Sequence, residues 1–386
     1  MSSATEKAVG RGFHYDRAAG GSGRAVWLFS PATDLSVFLG SAVASLVALW
    51  VGARMGVLYD DSPDWAWIPA VLLIDVAHVY STGFRVYLDS DELKRRPWLY
   101  LLVPAVGLAA GVTLYSEGEL VFWRALAYLA VFHFVRQQYG WVALYRARAG
   151  ERDRLGGWVD TAAIYAATVY PLIYWHTHLP RQFWWFLAND FAQIPGAVGR
   201  VAQPLYWLIL ISYAARSLYR WAVKGEVNPG KDIVVATTAV CWYVGIVSIN
   251  SDYAFTVTNV IIHGVPYMAL IYWYGRTKAA RAEGAGPFRL FASGPYLFLA
   301  ILWAMAYSEE MLWDRGVWQE RAWLFGGPWD VGALKAFLVP LLALPQITHY
   351  VLDGFIWRRR SNPDFTIVPA NAAARPALPG ERTISK

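Results

Sequence analysis

Four histidines lie inside long apolar stretches of this sequence, at His78, His133, His263 and His349. An ionisable side chain at membrane depth is costly, so such residues commonly mark a functional site. Neutral imidazole is a good ligand for iron, copper and zinc. The four histidines are therefore predicted to bind one metal ion.

Two carboxylates occur at helical spacing from these histidines. Asp75 precedes His78 by three residues, and Asp353 follows His349 by four. Residues three or four apart share a helix face. A ligating imidazole commonly donates its second ring N–H to a carboxylate. Asp75 and Asp353 are therefore predicted either as further metal ligands or as hydrogen-bond partners of the ligands.

Three more polar residues near the histidines are predicted to act in catalysis: Arg136, Gln137 and Tyr350. Arg136 cannot lose its proton and, at the predicted depth, needs an anion. Asp75, Asp353, or a carboxylate or phosphate on a ligand could supply it. Arg136 and Gln137 would position a substrate, and Tyr350 would line the site or donate a hydrogen bond.

The composition indicates which elements must position these residues. The chain has 386 residues, 56% of them hydrophobic and only 16% charged, and its mean hydropathy is +0.31. These values are typical of a membrane protein and exclude an ordinary soluble domain. Cys241 is the only cysteine, which excludes an intrachain disulfide and a thiolate metal cage. Any metal must therefore bind nitrogen or oxygen.

Apolar runs of about 20 residues separated by short polar segments predict an all-α polytopic membrane bundle of about ten transmembrane helices. One transmembrane domain is expected at 31–360, between a polar cytoplasmic arm at 1–30 and a flexible cytoplasmic tail at 361–386. An aromatic segment at 181–199 is predicted to lie at the membrane interface. The spans are predicted at 36–53, 64–88, 97–115, 118–146, 157–178, 200–224, 231–249, 252–276, 290–312 and 330–357.

Lysine and arginine concentrate in alternate polar segments, which predicts cytoplasmic N- and C-termini in an inner membrane. The net charge of +6 is then explained by topology and anionic lipid, without nucleic acid. Glu309 and Glu310 are placed in an outer turn. On this topology the four histidines differ by only about 6 Å in depth. They are predicted to share one layer in the inner half of the bilayer.

Three classes of function remain open. The first is a membrane metal-dependent oxidoreductase, such as a non-haem iron oxygenase or desaturase, acting on a lipid or isoprenoid-like apolar substrate, with a possible electron donor. Copper and zinc are alternatives to iron. The sequence has neither a His-Glu-x-x-His motif nor the clustered histidine boxes of membrane desaturases. The second is a haem protein with two of the histidines as axial ligands. The third is a proton-coupled transporter using Asp75, His78 and Asp353 as a relay.

A structural alternative applies to each histidine, since a polar side chain in a membrane also serves as a hydrogen-bonded contact between helices. His176 and His178 form a separate pair at the outer end of the fifth predicted span. Contact with lipid headgroups is the favoured interpretation for that pair, with an outer metal or proton-access site as the alternative.

Overall fold

The computed structural model describes residues 25–281, 287–291 and 294–358. These residues form helices and connecting loops and contain no strand, so the all-α prediction is confirmed for them. Most of the predicted N-terminal arm, at 1–24, and the whole predicted tail at 361–386 lie outside the described residues.

The helices are numbered in chain order. Short π-helical segments interrupt α1 and α2, form the C-terminal end of α8 and continue α7 and α11, and 3-10 turns occur at Pro287–Phe291 and Gly332–Leu334. The helices are α1 Pro31–Met55, α2 Asp64–Arg85, α3 Ser90–Arg95, α4 Pro97–Glu117, α5 Glu119–Ala149, α6 Arg154–Thr177, α7 Gly196–Tyr219, α8 Pro229–Ser248, α9 Asp252–Asn259, α10 Ile261–Arg281, α11 Pro295–Trp313, α12 Ala322–Phe325, α13 Lys335–Leu342 and α14 Leu344–Ile356.

Six helical segments in the described residues are long and apolar enough to cross a membrane. They are α1, α2, α4, α8, the pair α9 and α10 at Asp252–Ala280, and Gly332–Ile356, which contains α13 and α14. These segments indicate a membrane protein. The predicted count of about ten spans is not confirmed, and the orientation of the termini stays a prediction.

The other four predicted spans do form helices, namely α5, α6, α7 and α11. By composition these four helices are more polar than the six candidate membrane-spanning segments. Arg136, Gln137 and Gln138 follow one another in the middle of α5. A helix whose polar side chains face protein neighbours can cross a bilayer without having the apolar composition of an isolated span.

The placement of Glu309 and Glu310 in an outer turn is wrong. Both lie inside α11, and both side chains are buried. The helix begins at Pro295 rather than near residue 290 and continues to Trp313, so these carboxylates face protein instead of a loop. The indole Nε1 of Trp313 donates a hydrogen bond of 3.1 Å to Glu309.

The predicted interfacial segment at 181–199 has no helix until α7 begins at Gly196. Part of its aromatic content belongs to the protein core: Phe183 and Phe191 are buried and pack on Trp175 of α6. Trp184 is exposed. The position of the segment at a membrane interface stays a prediction.

The C-terminal ends of α2, α10 and α14 meet around Arg85. Its guanidinium donates to the carbonyl of Ile356 at 3.4 Å and lies 4.5 Å from the ring centroid of Tyr274. Beyond α2, Asp89 accepts hydrogen bonds from Tyr274 and Lys278. Burial opposes ionisation of Asp89, but the Tyr274 hydrogen bond and the Lys278 charge outweigh it and keep its pKa below the ordinary value. Because these helix ends are tied together, His78, His263 and His349 come to a similar level.

A buried ion-pair network joins α5, α6, α7 and α8 at the same end of the bundle. Asp160 is fully buried and contacts Lys231 at 2.9 Å, Arg216 at 3.0 Å and Arg146 at 3.4 Å. A buried carboxylate is tolerated only when cations and hydrogen bonds compensate its lost hydration. The network therefore fixes how α5 lies against its neighbours.

Close approach of α1 and α9 depends on a glycine. The hydroxyl of Tyr253 donates to the carbonyl of Ala48 at 2.5 Å, and its ring passes so close to Gly52 that an added Cβ would overlap it. Small residues at such positions allow helices to pack closely in a membrane.

We expect Gly52→Ala to lower the free energy of unfolding by about 1–3 kcal/mol, because the tightly packed ring must shift. Gly83→Ala is the matched control, since a Cβ there meets nothing within 4 Å. It should leave stability unchanged or slightly higher. Thermal unfolding in detergent measures both variants, and equal stability of the two would contradict the packing argument.

Candidate metal centre

The four predicted histidines converge in the interior of the described structure. They come from α2, α5, α10 and α14, and at most 2% of each residue is exposed. One ligating nitrogen from each ring lies within 4.8 Å of the other three. The prediction that four separate helices bring their imidazoles to one place is therefore confirmed as geometry.

Two short contacts between Nε2 atoms define the centre of the cluster. His78 and His263 approach to 3.2 Å, and His133 and His349 to 3.1 Å. The rings are mostly edge to face, with centroids 4.5–5.1 Å apart. The Nε2 atoms of both pairs therefore face inward.

The two predicted carboxylates lie behind the rings. Asp75 Oδ1 is 3.6 Å from His78 Nδ1, on the same helix. Asp353 Oδ2 is 3.5 Å from His133 Nδ1, across the contact between α14 and α5. These are ion-pair rather than hydrogen-bond distances, and His78 Nδ1 has no hydrogen-bond partner in the described structure. A carboxylate close to Nδ1 still favours the tautomer with its proton there, which leaves the Nε2 lone pair free. This position suits a partner of a ligand better than a direct ligand.

His349 is oriented by two residues that the sequence analysis did not include in the site. Thr82 Oγ1 lies 2.7 Å from His349 Nδ1 and 3.0 Å from the hydroxyl of Tyr267. Thr82 follows His78 by four residues on α2, so helical spacing placed it on the correct face. Nothing in the sequence indicated that it would contact the histidine of α14.

His263 is held mainly through its ring face and its backbone. Its ring stacks on Phe134 at a centroid distance of 3.5 Å and an interplanar angle of 7°. Gln137 Nε2 donates to the His263 carbonyl at 2.9 Å. The predicted Gln137 therefore supports the site through the α10 backbone. The Nδ1 of His263 has no hydrogen-bond partner.

The two other predicted catalytic residues lie at different distances from the centre. Tyr350 is buried, and its ring centroid is 5.0 Å from that of His133. Arg136 is exposed and donates to the Tyr165 hydroxyl at 2.6 Å. It does not pair with Asp75 or Asp353, because its exposed side chain needs no buried anion.

Two cavities approach the histidines from opposite ends. The acidic vestibule, of 510 Å³, lies on the N-terminal side of the histidines in α2, α5 and α9–α10 and reaches the surface at Asp61 and Glu320. Its floor includes Phe134, Asn259 and Tyr350. Its charged lining residues are Asp61, Asp75, Asp252, Glu310, Asp314, Glu320 and Arg321.

The apolar chamber, of 580 Å³, lies on the C-terminal side of the histidines in α5 and α14. Its lining includes His133, Asp353 and Arg136, together with Phe132 on the outside of the bundle. Phe132 is 62% exposed, so the chamber approaches the lateral surface. Tyr350 lines both cavities.

The donor set fits a transition-metal ion. Tetrahedral coordination with metal–nitrogen bonds of about 2.0–2.1 Å separates ligand nitrogens by about 3.3 Å. The contacts of 3.1 and 3.2 Å are close to that value, and wider separations suit ligands that lie across a six-coordinate ion. In the packing alternative, each neutral imidazole has only one N–H to share between two sides. A cation would satisfy all four inward nitrogens at once.

Comparison with models of known protein families, with curated proteins and with solved structures gives no match to this chain.

His176 and His178 serve as an internal comparison. His176 Nε2 lies 3.1 Å from the Tyr128 hydroxyl and its Nδ1 lies 2.6 Å from the Leu172 carbonyl. His178 stacks on Tyr174 at 3.9 Å. Neither belongs to the four-histidine cluster.

We expect His133→Ala and His349→Ala each to reduce metal affinity by more than about tenfold, since losing even an outer partner of a ligand costs about 10–100-fold. His176→Ala should retain the wild-type metal content. Elemental analysis of purified protein measures all three. Equal metal content in the three variants would contradict the assignment.

Thr82→Val removes the hydroxyl beside His349 Nδ1 while preserving shape. We expect metal affinity to fall about 10–100-fold, because the imidazole loses the partner that sets its orientation. Thr113→Val is the control, since Thr113 is exposed and bonds only within its own helix. Competition with a chromogenic chelator measures both affinities. An unchanged metal affinity in Thr82→Val would show that Thr82 does not support the site.

Proposed function

We propose that the four-histidine cluster binds one transition-metal ion and that the protein is a membrane-embedded metal-dependent oxidoreductase acting on a lipid or isoprenoid-like apolar molecule. One observation carries the proposal. Four buried imidazole nitrogens lie within 4.8 Å of one another, between a cavity lined with carboxylates and a largely apolar one.

Non-haem iron is the proposed metal, with copper and zinc as alternatives. Imidazole suits all three ions, and an iron site would activate dioxygen for oxidation of an unactivated carbon chain. The residues proposed to hold the ion are His78, His133, His263 and His349. Asp75 and Asp353 would keep the Nδ1 protons of their histidines in place.

The apolar chamber is the proposed substrate site. Its volume of 580 Å³ lies within the range of small-molecule pockets, about 300–1,000 Å³. A lipid-soluble substrate would come in past Phe132 without crossing water. Tyr350 and His133 would limit how deeply the substrate penetrates, and Arg136 would position a polar group of it.

Exclusion of bulk water is the contribution of the surrounding residues. Phe134 covers His263, and Tyr267 lies with its ring centroid 5.0 Å from that of His349. An enclosed site strengthens electrostatic interactions and protects reactive species from side reactions. Here the enclosure comes from aromatic rings packed against the ligands.

The haem alternative requires a porphyrin between two axial imidazoles. The four rings lie with centroids 4.5–5.1 Å apart, which leaves no slot for a macrocycle unless the helices separate. The close packing of the four rings therefore disfavours the haem alternative.

Transport is the second candidate, and one observation favours it. Two cavities reach the cluster from opposite ends, as alternating access to a central site would require. The chamber is largely apolar, however, whereas an ion or proton path would be expected to carry polar groups on both sides.

Metal analysis combined with an absorption spectrum and an oxygen electrode tests the proposal. Detergent-purified protein should contain about one iron per chain and lack a Soret band. When isoprenoid or fatty-acyl substrates and an electron donor are added, it should consume more dioxygen than with the donor alone. His349→Ala should abolish the consumption. A Soret band would support the haem alternative. Substrate-independent cation uptake into vesicles would support transport.

A further inference from the structure

We propose that the acidic vestibule is the route by which a divalent cation reaches the histidines, with Glu310 and Asp75 as successive oxygen ligands along it. The inference rests on the proposed metal centre and adds how that centre is supplied. It also assigns a function to Glu310, a buried carboxylate that the proposed chemistry does not use, and a second function to Asp75.

Charge is the first argument. The lining of the vestibule contains six carboxylates and one arginine. That arginine, Arg321, already contacts Asp64 at 3.2 Å and Glu320 at 3.0 Å. A cleft lined by one sign of charge concentrates ions of the opposite sign and raises their rate of arrival. The vestibule therefore favours cations.

The position of Asp75 is the second argument. It lies near the middle of α2, yet its side chain is 34% exposed, and that exposed surface faces the vestibule. Within the described residues it makes no ion pair with a lysine or arginine, and the titratable groups around it are His78, Glu309, Glu310 and Tyr350. A carboxylate at membrane depth without a fixed cation commonly marks an ion path. Asp75 is thus accessible from the vestibule and adjacent to the first histidine.

Unused oxygen atoms in the lining of the vestibule are the third argument. Glu310 is 9% exposed, and its side chain makes no hydrogen bond or ion pair within the described structure. Asn259 is 1% exposed, and its Oδ1 has no hydrogen-bond partner. Both line the vestibule. Buried polar atoms are normally paired, and carboxylate and amide oxygens are ligands for divalent cations.

The opposite cavity has the wrong charge for this purpose. Arg136 and Arg358 line the apolar chamber, and Asp353 is its one carboxylate among the described lining residues. A divalent cation would be repelled at the arginines. The two cavities therefore have separate functions: the cation arrives through the vestibule, and the apolar substrate occupies the chamber.

The rate of metal loading tests the route separately from the centre. Chelator-stripped protein in detergent is mixed with Co²⁺, and the cobalt absorption band is followed in time. Glu310→Gln should load about tenfold more slowly than wild type and reach the same final stoichiometry. Glu117→Gln is the control, because Glu117 is an exposed carboxylate on α4 that lines neither cavity; it should load at the wild-type rate.

A surface variant covers the case in which Glu310→Gln fails to fold. Glu320→Lys reverses an exposed charge at the mouth of the vestibule, and it should slow loading several-fold at low salt and less at high salt. Wild-type rates in both Glu310→Gln and Glu320→Lys would overturn the route while leaving the centre intact. A wild-type protein that takes up no Co²⁺ would instead refute the metal centre, and the route with it.

Discussion

Burial of four imidazole rings in one layer is the constraint on which the rest of the structure depends. Each ring has two nitrogens that must be satisfied away from water. The outer nitrogens of three rings face Asp75, Asp353 and Thr82, and the inner ones face each other. The helices that carry these groups must therefore meet at one register, which the contacts of Arg85 and Gln137 maintain. Shifting one of these helices by a turn would leave a charged group or a nitrogen lone pair without its partner.

Much of the site could be predicted because polar residues in apolar sequence are rare and costly. That argument found all four histidines and both neighbouring carboxylates. It could not identify which groups pair, because pairing depends on contacts between distant segments. Asp353 has the spacing to support His349 on its own helix, yet it contacts His133 of α5. Thr82 and Tyr267 are 185 residues apart in sequence, and no local pattern links them.

The all-helical class of the fold was predictable, and the number of membrane-spanning helices was less so. Apolar runs identify six segments clearly. The helix that carries His133 also carries Arg136, Gln137 and Gln138, so the polarity that serves the site lowers the hydropathy by which a span is identified. Glu309 and Glu310 were misplaced for a related reason, since adjacent acidic residues in sequence usually indicate a loop. Their burial depends on the packing of α11, which composition does not reveal.

Tyr350 lines both cavities, so one phenol ring contributes to the wall between a compartment that water enters and one that opens toward lipid. Replacing it with a small side chain would remove part of that wall. Water from the vestibule would then reach the apolar chamber, where it would compete with a lipid-soluble occupant. The bulk of this ring therefore helps to keep the chamber dry, independently of any chemistry at the histidines.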